Sequence, residues 1–411
     1  MLAVACSSPE GSAPTPEADP PATRSSTPVP TPERVATVTE APDQATLDRR
    51  LIDAAWKDDL PRARRLVALG ADVNAKDDTE QSAYLIATSE GHLRLLDLTL
   101  RHGADVGSLD SFHGTGLIRA ADRGHAAVAG RLVREGVAVD HVNELGWTAL
   151  HEAIILGDGS RRYVDTVRVL VAAGADLRLP SRGDGVTPLQ HAESKGYADL
   201  TTTLRAGLRD VRMSQRDADR RLLAASARGD ADAVAVALRA GARTETRDEH
   251  QRTPLLLASA NDRVAVARLL VHLGADPDAL DDRHDTPWLV TGVTGSVPML
   301  ETLLPARPDL RIRNRFGGVS VIPASERGHV DYVRRVVRTG IDVNHVNDLG
   351  WTALLEAVIL GDGSRDYQEI VRTLLAAGAD PGIGDHDGVT PLEHARRQGQ
   401  TAVTAILERA T

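Results

Sequence analysis

A block of 31 residues occurs twice in this chain, as GWTALHEAIILGDGSRRYVDTVRVLVAAGAD from Gly146 to Asp176 and as GWTALLEAVILGDGSRDYQEIVRTLLAAGAD from Gly350 to Asp380, and the copies agree at 23 positions. Each contains a shorter unit that recurs along nearly the whole sequence: a TPL-like start, an alanine five residues after the Thr, a glycine four residues later and a closing GAD. Marked by its alanine, the unit falls at Ala54, Ala87, Ala120, Ala153, Ala192, Ala225, Ala258, Thr291, Ala324, Ala357 and Ala395. Eight of the ten spacings are 33 residues; the other two, 39 and 38, are lengthened mostly by one five-residue insertion that the two long blocks share. Such a period means a stack, in which each unit buries its apolar side against its neighbours and chain length sets the number of units.

The logic of one unit is written in its residues. Thr before Pro, as at Thr187–Pro188, Thr253–Pro254 and Thr390–Pro391, caps a first helix through the hydroxyl while Pro takes the first helical position, where no amide is needed. Glycines such as Gly70, Gly103, Gly136, Gly174 and Gly378 close a second helix in the left-handed conformation that strains other residues. Aromatic residues make up only 3 % of the chain and hydrophobic residues 42 %, so the core must be Ala, Leu and Val packed between short helices. This unit resembles the ankyrin repeat. The resemblance implies an all-α ankyrin-repeat solenoid of helix–turn–helix units with β-hairpin fingers, about eleven units in two related halves.

Self-comparison gives the division. Arg49 to Gly103 match Arg220 to Gly274 at an offset of 171, whereas Gly114 to Asp176 match Gly318 to Asp380 at 204, one unit more. The added unit is the poor one around Thr291, where Pro298 and Pro305 argue for a bent or shortened helix and Arg307 stands in place of the closing glycine. The fifth unit ends in RAGLRD instead of GAD and reads as a cap, and residues 210–221 are expected to start the next helix. The expected organisation is therefore a first block at 45–209 and a second at 210–411, preceded by residues 1–44.

Those first 44 residues are rich in Pro, Ser, Thr and Ala with no hydrophobic period, the composition of a disordered tether. Their start, MLAVACSS, resembles the last part of a bacterial lipoprotein signal, which implies lipidation of Cys6, the single cysteine. The basic segment and most of the apolar segment of such a signal are missing. The expected location is the cell envelope by a lipid anchor on Cys6; the other reading is a cytoplasmic protein with a stray cysteine. No stretch approaches the roughly 20 apolar residues of a membrane span. The net charge of −10 makes nucleic acid an unexpected partner, since phosphate binding needs a basic face.

Fourteen histidines invite a metal or catalytic reading, but no two share one helix face four residues apart, and no cysteine cluster or calcium loop is present. His92, His125 and His329 follow the glycine of the turn between helices and are expected to bond the backbone of that turn, as ankyrin histidines do; His151, His191 and His394 read as structural too. The GDGSR insertions lack the pattern and the strand of a phosphate loop. No set of nucleophile, base and oxyanion donor can be assembled. No cofactor, metal or catalytic activity is expected.

The resemblance implies a scaffold that binds a protein partner through the finger tips and the first-helix face. Carried over by position, the contact residues are Asn143, Glu144, Leu145 and Trp147 in one half and Asn347, Asp348, Leu349 and Trp351 in the other, with Arg161 and Arg365 from the insertions. An exposed Trp is a favoured anchor; the competing reading packs Trp147 and Trp351 between adjacent fingers. A structural envelope lipoprotein, and a small-ligand or enzymatic role for the GDGSR loops, are the alternatives.

Overall fold

The structure is a computed structural model that describes residues 43–209 and 212–410; the tether and Cys6 lie outside the described residues. Among those residues the first block forms five helix pairs: α1 (Gln44–Trp56) with α2 (Leu60–Ala68), α3 (Ala83–Ser89) with α4 (Leu93–Arg101), α5 (Gly116–Asp122) with α6 (Ala126–Arg134), α7 (Ala149–Ile155) with α8 (Arg161–Ala172), and α9 (Pro188–Ser194) with α10 (Ala198–Leu208). The second block forms six: α11 (Gln215–Arg228) with α12 (Ala231–Arg239), α13 (Pro254–Ala260) with α14 (Val264–His272), α15 (Leu289–Thr294) with α16 (Val297–Leu303), α17 (Val321–Glu326) with α18 (Val330–Val336), α19 (Ala353–Ile359) with α20 (Arg365–Ala376), and α21 (Pro391–Arg397) with α22 (Thr401–Leu407).

Helix starts follow the sequence signals. Thr148, Thr187, Thr253, Thr352 and Thr390 each accept the backbone N–H three residues on. Within each block first helices stack on first helices and second helices on second. The small residues permit this: the anchors Ala54, Ala87, Ala120 and Ala153 have no exposed surface, and the leucines of the TAL starts, Leu150 and Leu354, are 2 % and 1 % exposed. The fingers are tight turns whose pairing is reduced to isolated bridges, Lys76 with Ser82 and Leu109 with Thr115. No extended hairpin strands form among the described residues, because each finger spans only the few residues between GAD and the next cap.

The second block does not simply prolong the first. Helix α12 packs on α8 and α10, and α14 packs on α6 and α8, so the chain doubles back and sets the second helices of one block against those of the other. The fifth unit is thus a cap only in its first helix, where α9 buries just Pro188 and Ala192; α10 is covered by α12. Gly130 on α6 marks the closest approach, since a Cβ there would lie 2.2 Å from the His272 carbonyl oxygen. Ion pairs bind the two layers: Arg168 to Asp232 at 2.8 Å and Arg268 to Asp165 at 2.7 Å.

The helix of the poor unit is shortened as its prolines imply, and one local expectation, that for the turn histidines, changes. Pro298 sits in the first turn of α16, beside the Ser296 cap, where it is tolerated; Pro305 falls in a 3₁₀ turn after the helix, which ends short at Leu303. Arg307 adopts the left-handed conformation itself, φ 58°, and its guanidinium pairs with Asp97 of the first block at 3.2 Å. The turn histidines bond the preceding unit instead of their own turn: His125 Nε2 lies 3.0 Å from the Ser89 carbonyl and His329 Nε2 3.1 Å from that of Val293.

Candidate partner-binding surface

The fingers before α7 and α19 are built alike. Asn143 Oδ1 accepts the Trp147 N–H at 2.9 Å while its Nδ2 donates to Glu152 Oε1 at 2.8 Å; Asn347 does the same with Trp351 at 2.9 Å and Glu356 at 2.8 Å. Both asparagines are buried, so they shape the finger and offer no side chain to a partner. Glu144 and Asp348 are exposed and tie neighbouring fingers by their backbone N–H groups, to the Phe112 carbonyl at 3.0 Å and the Phe316 carbonyl at 2.9 Å. Trp147 and Trp351 are half-buried, neither free anchors nor core. Leu145 and Leu349 are 47 % and 50 % exposed at the tips.

Around Leu145 the structure gathers residues that the sequence reading missed. Phe112, Leu145 and Leu156 border one small concavity of about 160 Å³, with Asn143 and Glu152 also in its wall. Offset by 204 residues, Phe316, Leu349 and Leu360 recur with the same Asn–Glu pair. All six apolar side chains are exposed, and Phe112 and Phe316 are the only phenylalanines in the chain. That scarcity, together with the offset, was the signal available in the sequence. The repeat register places both phenylalanines in the finger and both leucines just after a first helix, positions that carry no core signature.

The glutamates beneath are unusual. Glu152 and Glu356 are 4 % and 5 % exposed, and burial raises both carboxyls from 4.5 to about 7. Asp122 adds to the rise at Glu152 and Glu326 at Glu356, while the Asn N–H bond opposes it. Each patch therefore sets an apolar rim above a buried carboxyl that titrates near neutrality, and at the first patch Asp110, Arg119 and Asp122 also line the concavity.

Arg161 and Arg365 are not gathered with the tips in this way. Arg161 lines a cleft between the two blocks, and Arg365 lines a surface depression with Arg334 and Glu369. The insertions themselves are structural turns. Tyr163 donates its hydroxyl to the Asp122 carbonyl at 3.0 Å, and Tyr367 donates to that of Glu326 at 2.8 Å. A Cβ on Gly157 would strike the Ala153 carbonyl at 2.2 Å and the Tyr163 ring, which is why glycine opens the insertion. Among the described residues no group of three or more His, Cys, Asp or Glu side chains is arranged to hold a metal ion, and no helix is long and apolar enough to cross a membrane.

Family models for ankyrin repeats match residues 84–181, 117–212 and 289–385, and a single-repeat model matches 250–282. The chain is 39 % identical to the ankyrin repeat protein YahD of Escherichia coli K12 over 186 residues, 45 % of this chain and 92 % of that one. It is 26 % identical to human ankyrin repeat and SOCS box protein 16 over 271 residues, 60 % of this chain and 58 % of the relative. Among solved structures, an ankyrin repeat domain from Acinetobacter baumannii AYE shares 43 % identity over 46 % of this chain and 96 % of its own, with a TM-score of 0.45. With models covering more than half of its length, the chain belongs to the ankyrin repeat family.

Proposed function

We propose that this protein is a non-catalytic scaffold that holds apolar segments of a protein partner on two equivalent patches, one per block. Ankyrin repeats generally mediate protein–protein interaction, and proteins of the family are typically scaffolds without enzymatic activity. The observation that carries the finer reading is the duplicated rim of Phe112, Leu145 and Leu156 and of Phe316, Leu349 and Leu360, which leaves large apolar side chains in water, the first rim bordering a small concavity. Apolar rims of this kind favour association. Glu144 and Asp348 flank the patches and set their polar edge.

A photo-crosslinking residue at position 112 or 316 tests this in the source cells. Defined partner bands are expected from both positions, and they are expected to vanish when Leu145→Arg with Leu156→Arg, or Leu349→Arg with Leu360→Arg, is added to the matching patch without change in helicity. Bands that survive both double substitutions would show that the patches are not the docking surface. The Cys6 lipid anchor belongs to the same proposal: it rests on Ala3, Val4 and Ala5 before a single cysteine and on the Pro/Ser/Thr-rich segment behind it, and it would place the scaffold at an envelope membrane.

A further inference from the structure

Where α4, α6 and the start of α8 face α14 and α16 of the opposite block, the doubled-back chain leaves an open cleft of about 820 Å³. Five arginines line it: Arg131, Arg134, Arg161, Arg268 and Arg307. Its acids are Asp97, Asp276 and Glu301, of which Asp97 and Glu301 stand in ion pairs. Asp97 is shared between Arg131 at 3.0 Å and Arg307 at 3.2 Å. Glu301 pairs with Arg335 outside the cleft, and Asp276 accepts the Asp278 backbone N–H of its own finger. Arg268 is held by Asp165 at 2.7 Å. Arg134 and Arg161 remain with no ion pair among the described residues.

A surplus of positive charge inside a chain of net charge −10 is not what general surface composition produces. Arg134 is moreover placed with care: its guanidinium lies against Gly274 of the other block, where any side chain would meet Nη1 at 2.6 Å. Burial, and after it Arg131, hold Arg134 below the ordinary arginine range, so an arriving anion relieves an existing cost. The rest of the wall is apolar, with Leu93, Val264, Val271 and Pro298 among it. Arginine's planar fork matches the oxygens of a carboxylate or phosphate.

We propose that this cleft is a binding site for a small amphipathic anion, a carboxylate or phosphate monoester whose headgroup is held by Arg134 and Arg161 and whose apolar body lies along Leu93, Val264 and Pro298. Such a ligand touches both blocks at once and fixes their junction. The duplication supplies an internal comparison. Arg134 has its counterpart in Arg338, 204 residues on, but no opposing block stands among the helices packed on α18. The site therefore exists once, created by the doubling back and not by the repeat.

Calorimetric titration of the full chain with octyl phosphate and with octanoate, both below their micelle concentrations, tests the proposal, and inorganic phosphate and 1-octanol test the two halves of the ligand separately. One of the octyl anions is expected to bind with unit stoichiometry and to raise the denaturation midpoint; the tighter of the two identifies the headgroup. Arg134→Gln and Arg161→Gln are each expected to weaken it about tenfold or more, as the loss of a charge-assisted hydrogen bond requires, while Arg338→Gln leaves it unchanged. Arg134→Lys, which keeps the charge and loses the fork, is expected to fall between wild type and Arg134→Gln. The proposal is overturned if neither octyl anion binds, if inorganic phosphate or 1-octanol binds as tightly as they do, or if folded Arg134→Gln and Arg161→Gln proteins bind like wild type.

Discussion

Asp165 on α8 and Arg268 on α14 stand 103 residues apart along the chain and meet at 2.7 Å. The pair joins the two blocks, and its side chains are 9 % and 21 % exposed, so solvent screens it little. Removing Arg268 leaves the nearly buried Asp165 with only the longer contact to Arg168 at 3.7 Å. Arg268→Ala is expected to cost about 3 kcal/mol, and Asp165→Ala with Arg268→Ala less than the sum of the two single changes. Denaturant midpoints of the four proteins measure this. The open pair Arg396 with Glu408, 55 % and 48 % exposed, serves as the contrast, with an expected cost below about 1 kcal/mol.

Core packing gives a second expectation. Leu150→Ala and Leu354→Ala each delete a side chain that is almost wholly buried between stacked first helices, at a cost of about 2 to 5 kcal/mol including the cavity left behind. Chemical denaturation would read the loss directly, and unchanged midpoints in both would contradict the packing.

The buried glutamates predict a pH dependence whose sign is fixed by their direction of shift. Unfolded, each carboxyl ionises near its ordinary 4.5; folded, near about 7. The native state thus holds protons that the unfolded state has released across that window, and stability falls as pH rises through it. The contribution is full below about 4.5 and gone above about 7. Glu152→Gln and Glu356→Gln keep an acceptor for the asparagine and cannot ionise. They are expected to stabilise the protein at pH 8 by up to about 3 kcal/mol each, on the scale of about 1.4 kcal/mol per pKa unit, and to leave it unchanged at pH 4. Thermal melts at the two pH values decide it.

For the anchor, the expected outcome is recovery of the protein in the membrane fraction when it is expressed with its natural upstream region, and release to the soluble fraction by Cys6→Ser. A diacylated cysteine carries two chains, enough for stable attachment. Wild type recovered soluble and unlipidated would remove the anchor from the proposed function.

The repeat architecture was legible because its determinants are local. The Thr hydroxyl that caps α9 or α13 lies within four residues of the helix it starts, and the anchor alanines mark the contact of one unit with the next. The long-range arrangement was not legible, because Asp165 and Arg268 look like ordinary surface charges on amphipathic helices, and nothing in the period marks Gly130 as the point where α14 crosses. The candidate surface was read in part. Leu145 and Leu349 follow from the finger position, whereas Phe112 and Leu156 come from the preceding finger and from the far end of the first helix, and only folding brings them beside Leu145. Asn143 has the finger position of a contact residue, but its side chain is spent on holding Glu152 and the Trp147 amide.

The doubling back also alters how such a chain comes apart. In a linear array each unit is held only by its neighbours, so units can be lost from either end one after another. Here α6 and α8 are gripped by α12 and α14, and the middle of the first block cannot open without parting from the start of the second. The units between Thr115 and Leu273 therefore form a cooperative nucleus of opening, while α1 with α2 and α19 to α22, which have no opposing layer among their packed neighbours, are free to fray as isolated steps. One ladder of near-identical rungs acquires a rigid centre and two softer arms, and the patch around Phe112 rides on the centre while its twin around Phe316 rides on an arm.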